Sequence, residues 1–266
     1  MSQTATPAPQ QAAPARRNAR DKTWSNPKGL DLTPIKHNVW GAERPFIWNT
    51  IDVGGRMTVI KLEDGSLWVH SPVELDPALQ QTLAELGPVR HVVSPNYEHV
   101  KYAQQWIHAY PDATAWACPG LKDKKPDIGY DRTIGTTADA PADWPREIGF
   151  VWLNCERVPV LNQAFFSEVV FHHEPSQCLL CTDVYWNYPR SAPPKTQLWK
   201  FGMDVVYLPI YRNLLVADAR EFDKLLARID AWNFNTVVPC HGRVVMEAAR
   251  DKFFAFLRRG VIGDQP

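Results

Sequence analysis

Beyond about residue 30, apolar positions fall into short runs whose spacing switches between alternation and a three-to-four period. Each switch is marked by a turn or cap residue. Two β-rich runs, 56–62 and 67–71, flank Glu63-Asp64-Gly65-Ser66, and an Asp-Gly pair in that position predicts a hairpin that opens the domain. Asp76 can cap a helix with Pro77 at its first position, Leu79, Leu83 and Leu86 on one face, and Gly87-Pro88 as its stop. A buried strand is predicted over 89–93. It ends at Ser94-Pro95-Asn96, and helical character follows over 98–110 up to Pro111. A loop between strand and helix is a common place for a site.

Residues 113–118 predict another strand, and the polar, Pro-rich stretch 119–145 is expected to wrap the surface. Further strands are predicted near 149–153, 166–172 and 178–182, then a long irregular section. A helix over 219–232, capped by Asp218, carries Phe222, Leu225, Leu226 and Ile229 on one face. A strand at 236–238 and a helix running to Arg259 complete the pattern. Two halves that each mix hairpins with helices predict an α+β chain, with two sheets face to face and helices outside. The strand ends would share one rim. Asn96, Glu98, His99, His172, His173, Asp183 and His241 fall there, and metal sites gather ligands of these types from strand ends distant in sequence.

Composition narrows the function. With 266 residues and 45% hydrophobic content the chain can bury a large core, read as one domain over 31–266 behind a disordered tail, 1–30. The tail carries Arg16, Arg17 and Arg20 and no acid before Asp21. That allows an organellar transit peptide as an alternative, although Pro7, Pro9 and Pro14 oppose an amphipathic helix. The 29 basic and 29 acidic residues balance, so nothing draws the chain to nucleic acid or an anionic membrane, and a small-molecule substrate or metabolite is the expected partner. No apolar stretch reaches 18 residues. Five scattered cysteines do not make a secreted disulfide framework, so a reducing, cytoplasmic setting is expected. Cys178 and Cys181 are three apart in a predicted strand, hence on opposite faces, and read as core residues. The 11 tryptophans lack interleaved basic runs and read as packing.

Ser94-Pro95-Asn96-Tyr97-Glu98-His99 occupies the place of the His-x-His-x-Asp-His signature of the metallo-β-lactamase superfamily. His173-Glu174-Pro175-Ser176, Cys181-Thr182-Asp183 and Pro239-Cys240-His241-Gly242 resemble its later His, Asp and His motifs, in the same order. Together with Leu67-Trp68-Val69-His70-Ser71-Pro72 and Cys118-Pro119-Gly120-Leu121, they make roughly 35–258 similar to an uncharacterised branch of that superfamily, a domain of unknown function. The resemblance implies a four-layer αββα sandwich. It places Ser94 and Asn96 where two metal-binding histidines stand, which leaves the first metal position only His173 and the shared Asp183. The second position keeps Glu98, His99, Asp183 and His241.

The implied cofactor is one divalent metal, zinc first and iron or manganese as alternatives. Glu98 or Asp183 would act as base in hydrolysis of a small ester, thioester, lactone or phosphoester. The alternative is a catalytically inactive module, with no metal, that binds a metabolite or a protein partner; an iron-dependent oxidoreductase is a third reading. Bland roles stand beside these residues: a helix-cap or structural histidine at His99, a helix or turn cap at Asp183, and a hydrogen-bonded structural role for His70, while of His172 and His173, which face opposite ways on a strand, only one can point at the site.

Overall fold

A computed structural model describes residues 22–135 and 140–258. The chain starts a sheet with β1 (Thr33–Lys36) and β2 (Val39–Arg44), adds a small ribbon from β3 (Ile47–Trp48) and β4 (Ile51–Asp52), and continues through β5 (Gly55–Lys61) and β6 (Leu67–His70). Asp64-Gly65 makes the tight turn between the last two, as expected. Next come α1 (Pro77–Leu86), β7 (Val89–Ser94), α2 (Ala103–Ala109), β8 (Thr114–Ala117), α3 (Leu121–Lys124) and β9 (Arg132–Thr133). Seven strands pair in the order β1-β2-β5-β6-β7-β8-β9, antiparallel up to β6 and parallel beyond it. Parallel neighbours need crossovers, which α1 and α2 supply. Asp76 caps α1 by accepting from the N–H groups of Ala78 and Leu79, at 3.0 and 2.9 Å. Leu79 and Leu83 then pack on Val59, Val69 and Val92, each burial being worth about 1.5–3 kcal/mol.

The second sheet is β10 (Ile148–Trp152), β11 (Val169–His173), β12 (Cys178–Asn187) and β13 (Thr236–Gly242), in that order. Its only parallel pair, β12 and β13, is bridged by a helical excursion. That excursion runs through α4 (Pro194–Gly202), wider π-type turns at Met203–Tyr207 and Tyr211–Leu215 around α5 (Leu208–Ile210), and α6 (Ala219–Asp230); α7 (Ala249–Leu257) follows β13. Trp68, Val93 and Trp116 of the first sheet meet Phe171, Leu180 and Val238 of the second, with Trp144 set edge-on to Trp116 at 4.9 Å. Phe222, Leu225, Ile229 and Phe253 cover the far face of the second sheet. The layers are therefore helix, sheet, sheet, helix, the α+β sandwich expected.

Several boundaries differ from expectation. The sheet begins at β1, ahead of the hairpin expected to open it. Stretch 119–145 does more than wrap the surface, since Leu121, Tyr130, Ile134 and Trp144 are buried. Helix α2 starts only at Ala103, because Asn96 holds the preceding residues in a turn. Residues 194–215, expected to be irregular, are helical. Pro209 lies inside that run, where its missing N–H and ring oppose ordinary α turns, and the wider turns on both sides accommodate it. Residues 22–30, assigned to the tail, pack on the domain: Asn26 is fully buried and Ser25 donates to Asp52 at 2.7 Å. The rest of the expected tail, and Arg259, lie outside the described residues. All five cysteines are free and buried, Cys178 between the sheets and Cys181 beneath the outer helices. No described helix is long and apolar enough to cross a membrane.

Candidate metal centre

The site forms where β7 and β13 end, beside the middle of β12. Past Ser94, the Asn96 carboxamide oxygen accepts from the N–H groups of Glu98 and His99 at 3.0 and 2.9 Å, an Asx-type turn that fixes where His99 projects. Its amide nitrogen donates to Thr182 Oγ1 at 2.9 Å and to Asp183 Oδ2 at 2.5 Å. Asp183 lies in β12 where pairing with β13 shifts register, between Cys181 and Trp186, and the irregularity lets its carboxylate reach the rim. His241 is the penultimate residue of β13. Gly242 follows at φ 86°, where an added Cβ would sit 2.2 Å from the Asn187 carbonyl oxygen, so only glycine fits.

Three side chains converge. His99 Nε2 lies 3.4 Å from Asp183 Oδ2, His241 Nε2 lies 3.2 Å from Asp183 Oδ1, and one ligand atom from each residue falls within 4.8 Å of the others. The far nitrogens are fixed: His99 Nδ1 pairs with Ser71 Oγ at 2.7 Å, and His241 Nδ1 donates to the Gly54 carbonyl at 2.7 Å. Both imidazoles thus turn Nε2 toward Asp183, the second-layer arrangement that orients metal-binding histidines. Burial opposes ionisation of Asp183, but His99 and His241 outweigh it and hold the carboxyl well below the usual range. Burial likewise opposes the charged form of His241, and the Asp183 carboxylate and the carbonyls of Val53 and Gly54 raise it. Two nitrogens and a carboxylate of this kind fit a divalent ion.

Other expected site residues fall elsewhere. Glu98 is exposed on the wall of the cavity above the cluster, outside the set of three. His173 is at the opposite end of its strand: it pairs with Cys178 at the start of β12, and bonds Glu147 at 3.0 Å and Ser176 at 2.7 Å. His172 faces the other way and stacks on Trp232. The Ser94 hydroxyl accepts from Tyr130 at 2.7 Å. His70 is only half satisfied as a structural histidine, its Nδ1 meeting Cys240 Sγ at 4.0 Å. Its Nε2 is buried without a partner, and burial, reinforced by His99, pushes its pKa down to about 3.

Sequence reasoning missed Glu168. Continuing the Phe171–Leu180 pairing by three residues sets it opposite Asp183, and its buried carboxyl accepts from the N–H groups of Thr182, Asp183 and Val184 at 2.6, 2.8 and 3.0 Å. Burial and the nearby Asp183 raise its pKa. The strand register was the signal that could have found it. Above the cluster opens a cavity of about 380 Å³, lined by Phe46, Trp48, Phe166, Trp186, Trp199 and Tyr207 among others.

A search of curated proteins found no match. Among solved structures, a metallo-β-lactamase from Pontibacter korlensis superposes with TM-score 0.57 at 12% identity, covering 86% of this chain and 98% of that one. The metallo-β-lactamase FIM-1 from Pseudomonas aeruginosa, in its mono-zinc form, gives TM-score 0.54 at 12% identity over 85% and 92%. A metal-soaked flavodiiron core, Flv1 from Synechocystis sp. PCC6803, gives TM-score 0.58 at 13% identity over 85% of this chain and 60% of that one. At such identities the likeness speaks for the fold, and that fold is the metallo-β-lactamase fold. Residues 36–206 match DUF4336, a domain of unknown function, a span that holds His99 and Asp183 and ends before His241. The chain therefore belongs to the DUF4336 family, an uncharacterised branch of the metallo-β-lactamase fold.

Proposed function

We propose that this protein is a single-metal hydrolase of an ester, thioester or lactone, with His99, Asp183 and His241 as its metal ligands. The observation that carries the proposal is the pair of imidazoles whose Nδ1 atoms are fixed by Ser71 and Gly54 while both Nε2 atoms face one carboxylate. A divalent ion there would supply Lewis acidity toward a carbonyl oxygen and lower the pKa of a water. Zinc suits the donor set, and iron or manganese also accept it.

The remaining chemistry belongs to the chain. Asp183 has both oxygens engaged, by His241 on one side and by His99 and Asn96 on the other, which suits a ligand better than a base. Glu98 is the carboxylate left on the cavity wall. It would take a proton from the attacking water and return it to the departing alkoxide or thiolate. Ser94 and Asn96, engaged by Tyr130, Thr182 and Asp183, support one metal over two. The same two replacements favour a second reading, a module that binds a metabolite without turning it over.

Metal analysis and an ester panel separate the two. The hydrolase reading expects about one equivalent of metal, lost in a His99→Ala, Asp183→Ala double variant. It also expects Glu98→Gln to keep the metal while turnover falls by roughly 10²–10⁴-fold. Full metal content with no cleavage of any ester, thioester or lactone supports the module, and protein purified without chelator that holds no metal sinks the hydrolase.

A further inference from the structure

We infer that the cavity above His99, Asp183 and His241 takes an apolar acyl or aryl group, so that the substrate is a hydrophobic ester or thioester instead of a small polar one. This rests on the hydrolase reading for the reaction, though not for the binding. The cavity, at about 380 Å³, lies in the size range of a small-molecule pocket. One wall is the β3–β4 ribbon and its flanks, with Phe46, Trp48 and Val53. The helical run 194–215 forms another with Trp199, Met203 and Tyr207, and Phe165, Phe166 and Trp186 line the space beside the reactive cluster.

The two arginines among the lining residues are already engaged. Arg44 pairs with Asp76, and Arg56 with Glu43 and the carbonyls of Pro239 and Gly242. The Lys101 ammonium lies over the rings of Phe46 and Tyr102, 5.9 and 5.1 Å from their centres. Glu98, His99, Asp183 and His241 are the chemistry itself. A polar or multiply charged acyl group would lose water there and find few partners. An apolar chain instead gains about fourfold in affinity per methylene, the equivalent of ~0.8 kcal/mol for each one buried, until the space is full.

The experiment uses the full-length protein treated with chelator, so that it reads the cavity apart from turnover. The neutral dye N-phenyl-1-naphthylamine is bound and then displaced by n-alkyl amides from acetamide to decanamide, and by phenylacetamide for the aryl case. Affinity should climb about fourfold per methylene and then level off. Met203→Trp, which narrows the cavity, should bring the plateau to a shorter chain. The outer face of 194–215 also exposes apolar side chains, so Leu198→Glu, Phe201→Glu serves as the comparison. Displacement that is flat with chain length, or is lost in that surface variant while surviving Met203→Trp, overturns the inference. p-Nitrophenyl esters from acetate to decanoate, given to metal-replete protein, then part the two claims. Amide binding that climbs without any ester cleavage keeps the cavity inference and sinks the hydrolase, whereas cleavage indifferent to chain length does the reverse.

Discussion

Asn96 stands where the superfamily signature has its second histidine, and it holds the carboxylate that a metal would share. Its amide bonds Asp183 while its carboxamide oxygen fixes the turn carrying His99, so one side chain positions two of the three candidate ligands. Asn96→Ala should weaken metal affinity by about 10–100-fold without removing any ligand, read by competition with a chelating dye. A histidine-to-asparagine change at such a position reads in sequence as a loss, and only the hydrogen bonds show the new use. His99, Asp183 and His241 were legible because motif order brought them together. Ser71 and Gly54 were not, since their contacts span 28 and 187 residues of chain. His173 was misplaced because a histidine near the end of a strand does not say which end faces the rim. A different residue predicts how stability depends on pH. Burial pushes Glu156 up from 4.5 to about 7, against the hydrogen bond it accepts from the Tyr211 hydroxyl. Between those values the unfolded chain has released a proton that the folded chain keeps, so stability falls as pH rises through that window and levels off above it. Glu156→Gln should flatten the slope and raise stability near pH 8 by up to about 3 kcal/mol, with little change near pH 5. Urea unfolding at the two pH values checks it, and an unchanged slope would show that the carboxyl ionises in the fold as it does in water.

Among elements, β13 couples fold to chemistry most directly. Its last residue, Gly242, has left-handed backbone against the Asn187 carbonyl, and its neighbour is the candidate ligand His241. Gly242→Ala should cost stability through that clash and also shift the His241 ring off the Gly54 carbonyl, so Tm and metal content should fall together. Retained metal with a lowered Tm would mean that His241 is oriented independently of the turn. The strand was visible as a short apolar run, and α1 announced itself through Asp76, Pro77 and the leucines at three-to-four spacing. The helical run 194–215 was hidden. Gly202 and Pro209 argue against a continuous helix locally, while Trp199, Met203 and Tyr207 gain from facing the cavity and Tyr211 is buried under the run. Leu198, Phe201, Val205, Val206, Ile210 and Leu214 remain 44–72% exposed, so no clean apolar stripe marked the buried side.

At the scale of the molecule, the sandwich was legible because alternation, caps and turns agree along most of the chain, and consistency across levels is what specifies a fold. The chemistry was less so, because it depends on which strand ends share the rim. That rim draws its candidate ligands from both layers: His99 follows β7 of the seven-stranded sheet, whereas Asp183 and His241 belong to the four-stranded one. An ion bound among them would act as a rivet at the rim of two plates that a shared core already packs together. Removing it should let the seam between them breathe. At about 100-fold saturation such a rivet contributes about 2.7 kcal/mol, so chelation should lower Tm by roughly 5–10 °C. Amide hydrogens near 96–102 and 183–187 should exchange faster, while those of His172 and His173, at the opposite end of the second sheet, keep their protection.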